Sequence, residues 1–81
     1  DKPSAMWRVA VAKGAARSIS RFPLADRRRM EAAILAMQAD PFDPAHSLAL
    51  APARDRRRWR VGNYRIFYTL DRDARIIVVT E

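Results

Sequence analysis

Residues 56–68 read RRRWRVGNYRIFY, and the alternation within them decides the architecture. Successive side chains of an extended chain point to opposite faces. Trp59 and Val61 therefore go one way, and Arg56, Arg58 and Arg60 go the other. Gly62-Asn63 is a tight-turn pair of the hairpin sort. After it Tyr64, Ile66 and Tyr68 rejoin the apolar face, while Arg65, Phe67 and Thr69 share the face of Arg58 and Arg60. The stretch is expected to form two strands, 56–61 and 64–70, with one side fit for a core and the other cationic. Asp71-Arg72-Asp73-Ala74 then turns the chain into a third strand over 75–80, built on Ile76-Ile77-Val78-Val79.

Upstream of the hairpins the period changes twice. Trp7, Val9 and Val11 alternate with Arg8, Ala10 and Ala12, as in a half-buried strand. From Lys13 the apolar residues Ala15, Ala16, Ile19 and Phe22 fall at helical spacing. Pro23 ends this short helix and opens the next, where Asp26 meets the positive end of the helix dipole. Met30, Ala33, Ile34 and Met37 mark the buried stripe of a second helix over 24–39, and Asp40-Pro41-Phe42-Asp43-Pro44 stops it. Residues 45–54 are expected as an irregular connection, with Leu48 and Leu50 tucked onto the core. The expected fold class is α+β: a small antiparallel sheet with an N-terminal helical hairpin packed on one face, in the order β-α-α-β-β-β. Residues 6–81 are expected to be a single domain, and residues 1–5 a tail outside it.

Composition narrows the function classes. The 81 residues carry 16 Lys+Arg against 9 Asp+Glu, a net charge of +7, and fourteen of the sixteen basic residues are arginine. Hydrophobic residues make up 49%, too many for a disordered basic tail. Cysteine is absent, which excludes a disulfide scaffold and a zinc–thiolate site, and His46 is the sole histidine. No metal or cofactor is expected. No apolar run approaches the roughly 18–20 residues of a membrane span, and the first residues lack a signal peptide's apolar segment, so a cytoplasmic protein is expected.

The charge is concentrated. Residues 54–75 hold eight arginines against Asp55, Asp71 and Asp73, which places +5 of the +7 in this segment. A solvated sheet face accounts for arginines interspersed with acids, but here one strand face carries them with little acidic compensation. Guanidinium groups fork onto phosphates, and a ring such as Phe67 offers a surface for a base. Arg56 and Phe67, beside Arg58, Arg60 and Arg65, are thus candidate RNA-binding residues. His46, lone and in a loop, reads as an ordinary surface residue. Tyr64 and Tyr68 are aimed at the core.

The Trp-Arg-Val near the start, the short helix ending in Phe22-Pro23, the longer one ending in Asp40-Pro41, and the R-W-R-V-G-N-Y-R-I-F-Y run together resemble the RelE/ParE superfamily of bacterial toxins. The resemblance covers about residues 7–80. It implies a toxin of a type II toxin–antitoxin system, silenced by a cognate antitoxin that is acidic or amphipathic and folds on binding. RelE-like members are ribosome-dependent endoribonucleases that cut messenger RNA in the ribosomal A site. In them the ribose 2′-hydroxyl attacks the neighbouring phosphate. On that pattern Arg58, Arg60 and Arg65 are the catalytic candidates, Arg65 as phosphate stabiliser. Arg58 and Arg60 stand where RelE has lysines, so they suit phosphate grip better than proton transfer. The family's last basic segment, which ends near a tyrosine, would begin where this chain reaches Glu81. ParE-type members share the scaffold without the nuclease set and inhibit DNA gyrase, which is the alternative function. A plain RNA-binding module is a further one.

Overall fold

The computed structural model describes residues 6–80, and of Ala53 only the backbone. The expected tail 1–5 and Glu81 lie outside the described residues. Strand β1 (Arg8–Val11) leads into helix α1 (Lys13–Ser20) and helix α2 (Leu24–Ala39). Strand β2 (Ser47–Ala51) and a 3-10 turn (Pro52–Arg54) precede β3 (Arg56–Val61), β4 (Tyr64–Asp71) and β5 (Ile76–Val79). The five strands form one sheet in the order β1-β5-β4-β3-β2.

The α+β class and the helical hairpin stand, and the sheet differs from expectation in two respects. It is mixed: β1 pairs with β5 in parallel, Arg8 opposite Ile76 and Val11 opposite Val79, while the other pairs are antiparallel. The tight turns specify only the local hairpins, and the partner of β1 lies at the far end of the chain. The supposed irregular connection also contains a strand, β2. Ser-Leu-Ala-Leu-Ala carries no β-branched or aromatic residue, so pairing with β3 rather than propensity makes it extended. Ser47 opposes Trp59 and Leu48 opposes Arg58. That register turns Ser47 inward, and Leu48 and Leu50 remain 51% and 40% exposed instead of tucking onto the core.

The core lies between the sheet and the helices. Met30, Ala33 and Met37 of α2 are buried, as the helical stripe requires, against Trp59, Ile66, Tyr68, Leu70, Ile77 and Val79 of the sheet. Ala15 of α1 is buried, while Ile19 and Phe22 pack against the margin. The start of the first strand is tied to the end of α2 twice: the Trp7 backbone N–H donates to the Gln38 carbonyl, and Gln38 Nε2 donates back to the Trp7 carbonyl. At the other end Tyr64 stacks on Phe22 with ring centroids 4.8 Å apart, and its hydroxyl donates to Asp26 at 3.0 Å. Thus both helices are fastened to the β3–β4 hairpin. Asp26 holds the Tyr64 phenol above its ordinary pKa, because the neighbouring carboxylate opposes a phenolate.

One polar chain crosses the apolar interior. Arg57 Nε donates to Ser47 Oγ at 2.7 Å, Ser47 Oγ meets the Tyr68 hydroxyl, and that hydroxyl donates to the Pro41 carbonyl at 2.7 Å. Each donor has one proton to give, so Ser47 must donate to Tyr68. Burial pushes the Tyr68 phenol up in pKa, with Ser47 and Arg57 pulling the other way, and the hydroxyl keeps its proton. Tyr68→Phe removes the acceptor of the Ser47 hydroxyl and leaves the buried Pro41 carbonyl without its donor. The expected loss is about 1–3 kcal/mol, read from urea denaturation.

Asp55 adopts φ 51°, in the left-handed region, and accepts from Arg72 Nε and, at 3.0 Å, Arg72 Nη2. The Arg72 hydrogen bond pulls the Asp55 carboxyl below its ordinary value. A lowered folded pKa adds stability above the unfolded value of about 3.9, and that contribution is lost as pH falls through the lowered value. Asp55→Asn keeps a side chain that tolerates the left-handed backbone. Its urea midpoint should fall below wild type at pH 7 and change less than wild type's between pH 7 and pH 2.

Candidate nucleic-acid interface

The register of β3 against β4 builds the cationic face. Val61 opposes Tyr64 across the Gly62-Asn63 loop, and Gly62 sits at φ 58°, which glycine reaches without steric cost. Trp59 and Ile66 then meet on the core side. On the outer side Arg58 opposes Phe67, Arg60 opposes Arg65, and Arg56 opposes Thr69. All five residues singled out from the sequence thus share one sheet face. Arg56, Arg60 and Arg65 are exposed, and Arg58 and Phe67 are half-buried. The Arg56 guanidinium stands 5.6 Å from the Phe67 ring centroid.

The electrostatics of the face are one-sided. Arg60 lies directly opposite Arg65, a like-charge pairing that destabilises a sheet by tenths of a kcal/mol to about 1 kcal/mol. Among the described residues none of Arg58, Arg60 and Arg65 is paired with a carboxylate. The face ends in a concavity of about 330 Å³ lined by Arg54, Arg56, Thr69 and Thr80. Thr80 is anchored there, its backbone N–H and its hydroxyl both donating to the Phe67 carbonyl at 2.8 and 3.1 Å. Permanent cations, hydroxyls and a ring on a shallow sheet can hold a chain of phosphates with bases stacked between them.

Three of the eight arginines in the 54–75 segment serve elsewhere. Arg57 faces the core side, with its guanidinium 5.2 Å from the Phe42 ring centroid. Arg72 covers the same ring at 4.7 Å, and Arg75 covers Trp7 at 5.2 Å. Alternation already separated Arg57 from Arg56 and Arg58. The use of Phe42 as a seat for two guanidiniums was invisible, because Phe42 arrives from the end of α2. His46 is exposed in the loop that precedes β2, as read from the sequence. Its ring stacks on Trp59, centroids 5.0 Å apart and planes within 8°, and its Nδ1 is 3.5 Å from Asp43 Oδ2. A histidine three residues after an aspartate was the sole signal available in the sequence. Among the described residues no group of three His, Cys, Asp or Glu side chains could hold a metal ion. No described helix is long and apolar enough to cross a membrane.

Comparison with known proteins bears on this geometry. The sequence model described as the ParE toxin of the type II toxin–antitoxin system parDE matches residues 10–80. No curated protein matches the sequence. The fold is similar to that of the archaeal RelE–RelB complex from Pyrococcus horikoshii OT3, at a TM-score of 0.80 and 21% identity over 94% of this chain and 91% of that one. It is similar also to the toxin–antitoxin complex RelBE2 from Mycobacterium tuberculosis, at 0.77 and 20% over 91% of each chain. A mutant of the Escherichia coli toxin RelE in the free state matches at 0.75 and 14%, over 91% of this chain and 78% of that one. At these identities the likeness is one of fold.

The opposed arginines make a measurable prediction. A polyphosphate added at low salt should raise the melting temperature by several degrees by filling the face with negative charge. Arg60→Ala should shrink that gain. Both effects should fade in 1 M salt, where the screening length is about 3 Å.

Proposed function

The chain belongs to the ParE toxin family of type II toxin–antitoxin systems, and on the strength of its arginine face and its RelE-like fold we propose that it stops growth by acting on messenger RNA at the ribosome. In this reading it is an endoribonuclease whose arginine face grips the scissile phosphate. One observation carries it: Arg58, Arg60 and Arg65 share a sheet face with Phe67 and have no carboxylate partner among the described residues. Arg65 and Arg60 would clamp the phosphate, whose charge grows as the 2′-hydroxyl attacks, and a fixed pair of guanidiniums stabilises that charge without reorganising. Arg58 and Arg56 would hold flanking phosphates, and a base would stack on Phe67. The reaction takes place where messages are translated, in the cytoplasm.

The partner follows from the same surface. A cognate antitoxin would bring carboxylates to the arginine face and apolar side chains to the exposed Leu24, Leu35 and Leu48. The structural neighbours support this, since the archaeal and mycobacterial relatives are toxin–antitoxin complexes.

A second reading has an observation of its own. The face holds only arginines as ionisable groups at its centre, and arginine does not give up its proton near neutral pH. A ParE-like toxin that inhibits DNA gyrase and cuts nothing would need no proton acceptor there. Expression in growing cells separates the two. The nuclease reading expects cleaved messages with chromosomes intact, and the gyrase reading expects broken DNA with messages whole. Arg65→Ala is expected to weaken RNA binding and toxicity about 10- to 100-fold, the value of a charge-assisted hydrogen bond to phosphate. A growth assay checks it, and full toxicity in a folded variant removes Arg65 from the site.

A further inference from the structure

The outer edge of β2 is unguarded. Natural sheets blunt their edges with charge or proline, because unpaired backbone groups there accept another strand. The opposite edge follows that rule: β1 carries the exposed Arg8, and the Trp7 backbone just ahead of it is bonded to Gln38 of α2. Strand β2 breaks it. Ser47–Ala51 holds no charged residue and no proline, and Leu48, Ala49 and Leu50 are exposed in succession.

The backbone of β2 leaves one position open along this edge. The Arg60 N–H donates to the His46 carbonyl at 3.0 Å, so Leu48 and Arg58, two residues along each chain, form the next hydrogen-bonded pair. The backbone groups of Ser47 and Ala49 therefore point away from β3. The Ser47 N–H is engaged by the Asp43 carbonyl at 2.7 Å, which closes that end of the edge. No described group bonds the outward N–H and carbonyl of Ala49. The register irregularity falls between Ala49 and Ala51, so the run 47–49 stays regular. The side chains supply the rest of the chemistry. Leu48 shares the outer sheet face with Arg58, its opposite residue, which has no carboxylate partner among the described residues. A strand laid along the edge would meet leucine first and a guanidinium one strand further in.

We propose that the free edge of β2 seats an extended acidic segment of the cognate antitoxin, which adds to the five-stranded sheet as a further strand. Its backbone bonds Ala49, its apolar side chains cover Leu48 and Leu50, and its carboxylates reach Arg58. The inference rests on the toxin–antitoxin reading and is independent of whether the toxin attacks RNA or gyrase. Charge selects this occupant. A second copy of the chain, itself at +7, would set its own arginines beside the first set. Nucleic acid brings negative charge, but neither a strand backbone for Ala49 nor aliphatic side chains for the leucines. An acidic extended segment brings all three, and by neutralising Arg58 it also takes a cation from the face the toxin uses.

The test uses the full chain and its cognate antitoxin. Leu48→Ser combined with Leu50→Ser should weaken the complex about 100-fold in isothermal titration, about tenfold for each leucine. In growing cells that double variant should stay as toxic as wild type and escape rescue by the antitoxin. Ala49→Pro, which an edge strand accepts where the N–H faces outward, should weaken the complex about tenfold. In the wild-type complex the Ala49 amide should exchange with deuterium about 100-fold more slowly than in the free chain. Wild-type affinity in the folded double variant, or unslowed exchange at Ala49, overturns the strand addition and leaves the toxin reading standing. The exchange measurement uses no substitution, so it decides the matter should the variants unfold. A free chain that is dimeric, and monomeric after Ala49→Pro, also overturns it by giving the edge to a second copy. A wild-type chain that neither arrests growth nor binds the antitoxin removes the toxin reading and this inference together.

Discussion

The pairing of Val61 with Tyr64 across two turn residues is the constraint on which the other features depend. It sets Trp59 beside Ile66 on the inside and Arg60 beside Arg65 on the outside. A slip of one residue would carry every side chain of β4 to the other face, with Arg65 and Phe67 buried under the helices. Three features hold the register. Gly62 supplies the left-handed turn residue, Tyr64 is clamped between Phe22 and Asp26, and Tyr68 reaches through the core to Pro41. The helices are fastened at the same points. The device that sets the register therefore also closes the domain.

Arginine plays two opposite parts in this molecule. Arg57, Arg72 and Arg75 lie against aromatic rings, and Arg57 and Arg72 are hydrogen-bonded as well, so their charges help to hold the structure together. Arg58, Arg60 and Arg65 repel one another on an open sheet face and do the reverse. A small domain with many alanines has little apolar area to set against such repulsion. The unneutralised charge is thus a standing cost in the free protein, removed when an anionic partner binds. This links stability to binding, whether the anion is a nucleic acid or an acidic protein segment.

How much could be read beforehand varied with the range of the interaction. The limits of α2 and β3 and the facing of Arg58, Arg60, Arg65 and Phe67 follow from period and turn chemistry over a few residues. Strand β2 was not legible, because Ser-Leu-Ala-Leu-Ala has neither β propensity nor alternation, and its form is imposed by β3. The expectation that Leu48 and Leu50 were core residues failed for the same reason. They are apolar, but the register of a borrowed strand sends them outward. The stack of His46 on Trp59 joins residues from different elements, and nothing near His46 in the chain announces it.

By itself the sequence determined the α+β class, both helices, the hairpins and the sharing of one face by the arginines. Each is set by local dihedral preference and by periods of 2 and 3.6 residues, which neighbouring side chains carry within themselves. The tertiary structure alone decided that β1 lies parallel to β5, that an edge strand forms over 47–51, and that His46 stacks on Trp59. Those are contacts between residues distant in the chain. Their free energy comes from burying apolar surface and pairing backbone groups jointly, so no segment holds the information alone.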